Sequence, residues 1–106
     1  VVAYAIGLRH GPQDGGDLGG QGSWAYDVNA VGQVVGGSPL GSGDNHAFLW
    51  QNGGMQDLGT LGGDYSSAEA INETGQVVGT ARLASSTPHA FLWQSGAMQD
   101  LGALGV

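Results

Sequence analysis

Along the chain, short apolar runs alternate with glycine-rich breaks. Ala47-Phe48-Leu49-Trp50 and Ala90-Phe91-Leu92-Trp93 are two such runs, each followed by a Gly-containing break and then by Met-Gln-Asp-Leu. Gln33-Val34-Val35-Gly36 and Gln76-Val77-Val78-Gly79 are shorter ones. Runs of this length, rich in Val, Leu, Phe and Trp and bounded by Gly, Asn and Ser, predict β-strands. Side chains alternate faces along a strand, so Phe48 and Trp50 point one way and Ala47 and Leu49 the other. Both faces are apolar, which predicts sheets covered on both sides, most simply by a neighbouring repeat.

The pattern itself repeats. Residues 21–63 align without a gap on residues 64–106, a period of 43 residues with 24 identical positions. Gln13-Asp14 and Leu18-Gly19-Gly20 keep the register of Gln56-Asp57 and Leu61-Gly62-Gly63, and Ala3-Tyr4-Ala5-Ile6 is like Ala47 to Trp50 with a shift of one residue. Residues 1–20 therefore read as a degenerate half-repeat, the third and fourth strands of a unit. The expected organisation is this half-repeat, repeat 1 over 21–63 and repeat 2 over 64–106, together one β-repeat domain of two and a half repeats.

Each unit predicts four strands. The first is Trp24 to Asn29, or Ser67 to Asn72, closed by Asn29-Ala30-Val31-Gly32 or Asn72-Glu73-Thr74-Gly75, tetrads whose final glycine suits a positive φ. Gln33 to Gly36, or Gln76 to Gly79, is the second. Gly37 to Asn45 and Thr80 to Pro88, rich in Gly, Ser and Pro and poorly matched to each other, are expected to be variable loops. The third strand, Ala47 to Gln51 or Ala90 to Gln94, turns through Asn52-Gly53 or Ser95-Gly96 into a fourth at Met55 to Leu58 or Met98 to Leu101. Asn-Gly between apolar strands is a strong hairpin signal. The predicted fold class is all-β, with antiparallel four-stranded repeats of the β-propeller-blade type. A β-solenoid is the alternative, disfavoured by two hairpin turns inside each period.

Composition narrows the partners. The 22 glycines of the 106-residue chain lie between apolar runs and so mark turns rather than disorder. Arg9 and Arg82 are the only basic residues apart from histidine, against nine carboxylates, giving a net charge of −7, so no surface can neutralise nucleic-acid phosphates. There is no cysteine to form disulfides or thiolate metal sites. No apolar run approaches the ~20 residues of a membrane-spanning helix, and no membrane insertion is expected. The first residue, Val1, is what a processed or excerpted chain would show.

Candidate chemistry is sparse. His46 and His89 recur at one phase and could be metal or sugar ligands, but a histidine at a strand start more often hydrogen-bonds a nearby loop. Asp14, Asp57 and Asp100 also recur, and could ring a cation, yet an Asp beside a Gly turn usually caps backbone amides. Ser42, Asp44 and His46 invite a triad reading but lie too close in sequence and lack an oxyanion signature. No catalytic residue, metal or cofactor is expected. Trp24, Tyr26 and Tyr65 are not repeated, Ser67, Glu69 and Gly22 standing in their places. With Asp44 and Asn45 they are candidate contacts for a glycan or partner protein, the alternative being that they fill gaps in an imperfect repeat.

The string His46 to Trp50, Gly53, Met55 to Gly63, Ala70 to Asn72 and Gly75 to Gly79 resembles the HAF family of probable extracellular repeats. The resemblance covers residues 21–106 well and 1–20 loosely. It implies a secreted or cell-surface repeated β-architecture of bacterial or archaeal proteins, with no activity or ligand attached. Two and a half blades cannot close a ring that takes about 4 to 8. The expected function is thus structural and non-enzymatic: head-to-tail assembly with copies of itself into an extracellular filament or ring. Phe48, Trp50, Phe91, Trp93, Tyr4 and Ile6 would form the assembly core, and Val1 to Gly20 would dock on the next subunit. The rival expectation is a lectin-like propeller of several short chains that binds cell-surface glycan.

Overall fold

The computed structural model describes residues 22–102, and within them the chain is all-β, without a helix. Eight strands follow in order: β1 (Trp24–Val28), β2 (Val34–Pro39), β3 (Asn45–Gln51), β4 (Gly54–Gly59), β5 (Gly62–Ile71), β6 (Val77–Leu83), β7 (Pro88–Gln94) and β8 (Ala97–Gly102). β1 to β4 form one antiparallel meander and β5 to β8 another. A single parallel bridge, Asn45 to Tyr65, joins β3 to β5, so the whole is one open, mostly antiparallel sheet. Tyr4 and Ile6, and the expected half-repeat to which they belong, lie outside the described residues, as does Asp14.

The turns follow the local sequence. In the first hairpin Gly32 donates to the Asn29 carbonyl at 3.1 Å with φ +87°, and Gly75 does the same to Asn72 with φ +86°. Asn52 and Gly53 both take positive φ, as do Ser95 and Gly96, the signature of a type I′ turn whose twist suits two adjoining strands. The segments expected as variable loops are different. β2 runs on to Pro39 and β3 begins at Asn45, so Gly37-Ser38-Pro39 is paired strand and Ser38 is fully buried opposite His46. β6 and β7 likewise extend to Leu83 and back to Pro88. Only backbone groups are needed for the ladder, and Gly, Ser and an edge-facing Pro do not prevent it. β5 is also longer than expected, starting at Gly62, and thus crosses the 63/64 boundary between the predicted units.

The meanders pack so that unlike faces meet. Val35, Ala47, Leu49 and Leu58 of the first share one buried cluster with Val77, Ala81, Phe91 and Trp93 of the second, with Met98 packed against it. β5 lies against this face of the first meander. Each lead strand carries a β-bulge, at Tyr26 and at Glu69, where the register with β2 or β6 shifts. Gly36 and Gly79 are the residues over which those bulged strands pass: a Cβ on Gly36 would collide with the Trp24 carbonyl, and one on Gly79 with the Ser67 carbonyl. This close approach explains the glycine that ends both Gln-Val-Val-Gly runs.

Candidate functional site

Residues at equal positions in the two meanders differ most in one respect, which is what covers them. Val35, Ala47, Leu49 and Leu58 lie under the second meander; Val78, Ala90, Leu92 and Leu101 stand 43 positions later. Val35 is fully buried whereas Val78 is 42% exposed, and Leu58 is 7% exposed whereas Leu101 is 51% exposed. Ala90 is exposed and Leu92 half-buried. A shallow groove of about 210 Å³ opens here, lined by Ala70, Ile71, Asn72, Gln76, Val78 and Leu92. Among the described residues, the second meander therefore leaves open the face that the first meander has covered.

Polar links seat the covered junction. Asp27 accepts the Ile71 amide at 2.9 Å, Asn29 Nδ2 donates to the Asn72 carbonyl at 3.0 Å, and Glu73 accepts the Ala30 amide at 2.9 Å. Asn45 Nδ2 donates to the Ser66 carbonyl at 2.8 Å, while the Ser66 hydroxyl accepts the Ala47 amide at 2.8 Å and donates to the Gly59 carbonyl. Asn45, expected as a surface contact, is thus part of the junction. Asp44 closes the β2–β3 hairpin, its carbonyl accepting the Leu40 amide at 2.7 Å.

Of the residues expected as an assembly core, Phe91 and Trp93 are buried within the chain itself, against the first meander. Phe48 is buried and Trp50 half-buried. The recurrent histidines and aspartates turn out to be each other's partners. His46 Nδ1 lies 2.8 Å from Asp57 Oδ1 and His89 Nδ1 2.8 Å from Asp100 Oδ1, and each aspartate also accepts an amide, from Gly59 at 2.8 Å or Gly102 at 2.7 Å. The Gly102 amide first, and the His89 hydrogen bond next, hold the Asp100 carboxyl below the ordinary aspartate range. These pairs tie β3 to β4 and β7 to β8 across the bulges beside Phe48 and Phe91. His46 Nδ1 is committed to Asp57, away from a Ser42–Asp44–His46 relay, and Ser42 accepts the Asp44 amide at 3.4 Å. Among the described residues no three His, Asp or Glu side chains converge as a metal site would require.

The non-repeated aromatics come together. Trp24 is 41% and Tyr26 52% exposed on β1, which pairs only with β2 among the described strands. The Tyr26 hydroxyl is held above the ordinary tyrosine range by partial desolvation, then by Glu69 and Tyr65, with a hydrogen bond from Trp24 opposing. Arg82 stands 5.1 Å over the Tyr65 ring and reaches Asp64 at 3.5 Å. Arg82, Asp64 and Glu69 join the aromatics, and none of the three is repeated, Pro39, Gln21 and Tyr26 standing in their places. In comparison with known proteins, the chain matches no family model, no curated protein and no solved structure.

Proposed function

We propose that the chain is a secreted, non-enzymatic structural module of HAF-type repeats, whose meanders are β-propeller-like blades and which assembles head to tail into an extracellular filament or ring. The observation that carries this reading is the open face of Val78, Leu92 and Leu101, whose counterparts Val35, Leu49 and Leu58 are buried by a repeat. The covered junction is a precedent within the molecule for what the open face accepts: another unit of the same kind. The incoming surface expected from the sequence belongs to residues 1–20, outside the described residues.

Magnitudes set the strength. Full burial of a Val or Leu side chain is worth roughly 1.5–3 kcal/mol, and these three are already partly covered, so both sides of a contact together yield about 6 kcal/mol. Association costs about 4–15 kcal/mol in lost freedom. The apolar gain offsets only the low end of that cost, so assembly is weak, reversible and confined to high concentration, and the net charge of −7 weakens it further at low salt. Sedimentation velocity over a series of concentrations and salt strengths tests this. The parent chain is expected to form larger species as both rise, and Val78→Asp, which places a carboxylate in the open face, is expected to stay monomeric. A parent that is monomeric throughout sinks the proposal.

A further inference from the structure

Some of the positions at which the two units differ are brought together by the fold, where β5 lies against β1. Trp24, Tyr26, Tyr65, Glu69, Arg82 and Asp64 each stand where the other unit has a different residue, and the fold gathers them along one seam between β1 and β5. Aromatics that merely filled gaps in an imperfect repeat would be buried. Trp24 and Tyr26 are instead 41% and 52% exposed, more than any buried packing role needs.

From this placement we infer that the seam is a carbohydrate site, taking a neutral pyranose ring on the exposed faces of Trp24 and Tyr26. Aromatic side chains offer large apolar faces together with a polar edge, which matches the mixed apolar and hydroxylated surface of a sugar ring. Glu69 beside Tyr26 supplies carboxylate oxygens to accept sugar hydroxyls, and charge-assisted hydrogen bonds of this kind are the stronger ones. Charge selects the class of sugar. Asp64, Glu69 and Asp27 face or flank the seam and Arg82 is its only guanidinium, already engaged by Asp64 and the Tyr65 ring, so uronic and sialic acids are repelled. One such seam exists among the described residues, because the same positions in the other unit hold Ser67, Glu69 and Gly22. This inference stands apart from the assembly reading, since the seam and the face of Val78 and Leu101 are built from different residues.

The test is a printed array of neutral and acidic glycans probed with the full chain, followed by calorimetric titration of the strongest neutral oligosaccharide. Trp24→Ser and Tyr26→Glu install residues the second unit already uses on the same scaffold, so both variants are expected to keep the parent's circular dichroism and melting behaviour. The expected result is binding of neutral glycans in preference to acidic ones, an affinity loss of at least about tenfold in each variant, and unchanged binding by Val78→Asp. A parent chain that binds neutral glycan but stays monomeric throughout would overturn only the structural reading. Absence of any neutral-glycan signal, selection of acidic glycans, or parent-like affinity in both folded variants would overturn the carbohydrate site.

Discussion

Leu58 and Leu101 form a controlled experiment inside one molecule. Both are the penultimate residue of the fourth strand of a meander, both follow Met-Gln-Asp, and both precede a glycine with φ near +80°. Leu58 is 7% exposed and belongs to the cluster beneath the second meander, whereas Leu101 is 51% exposed. Truncating a buried leucine to alanine removes roughly 1.5–3 kcal/mol of transfer free energy and adds a cavity cost, so Leu58→Ala should destabilise by about 3 kcal/mol. Leu101→Ala loses only about half the burial and leaves no cavity, so its cost should be about 1 kcal/mol. The difference of about 2 kcal/mol corresponds to roughly 8–16 °C in melting temperature for a domain of this size.

Thermal unfolding of dilute protein, followed by tryptophan fluorescence and far-ultraviolet circular dichroism together, measures both. Leu58→Ala should melt well below Leu101→Ala at low concentration. As concentration rises, the parent should gain stability through association and Leu101→Ala should not, because anything that binds only the folded state stabilises it by mass action. Equal costs for the two substitutions in dilute solution would refute the reasoning, since they would mean that the packing of the second meander on the first contributes nothing measurable to either leucine.

Gly79→Ala should cost at least about 3 kcal/mol, near the top of the range for overpacking, because the added methyl meets the Ser67 carbonyl and the Phe91 ring; chemical denaturation would show it as a lower midpoint at unchanged slope. Asp100 should titrate below the ordinary aspartate range in a carbon-detected NMR pH series, owing to the Gly102 amide first and His89 second. Its depressed value means that its contribution to stability is present above the unfolded-state value and is lost as pH falls through the folded one, so Asp100→Asn should flatten that acid limb.

Much of the architecture is legible in the sequence because its causes are local. The Asn-x-x-Gly tetrads, the Asn52-Gly53 turn and the apolar runs each dictate their own element, and the 43-residue period supplies every element twice. The segments Gly37 to Asn45 and Thr80 to Pro88 were hidden because their composition is that of loops while their pairing depends on backbone groups alone. The His46–Asp57 pair was within reach: both residues recur, their separation of 11 is the same for His89 and Asp100, and folding the hairpin about Asn52-Gly53 sets them side by side. The seam of Trp24, Tyr26 and Tyr65 was not, since it arises from β5 lying against the first meander, a contact that no local pattern specifies.

The two junctions also differ in what could hold them. At the covered one, Asp27 accepts the Ile71 amide and Asn45 donates to the Ser66 carbonyl; on the open face the equivalent residues are Ala70 and Pro88, and only Asn72 is kept. A hydrogen bond to a charged group contributes roughly 1.5–3 kcal/mol and a neutral one about 1 kcal/mol, so a repeat seated on the open face lacks about 3 kcal/mol of what the inner junction has. That is roughly a hundredfold in an equilibrium constant, and it adds to the cost of association that the inner contact, within one chain, does not carry. Restoring the links should close the gap: Ala70→Asp with Pro88→Asn rebuilds the inner pattern at the outer face. The doubly substituted chain should assemble at concentrations tens of times lower in sedimentation velocity, without a change in far-ultraviolet circular dichroism. If it associates no more readily than the parent, then shape and apolar contact alone govern the outer face, and the polar links at Asp27 and Asn45 serve only to set the register of the inner one.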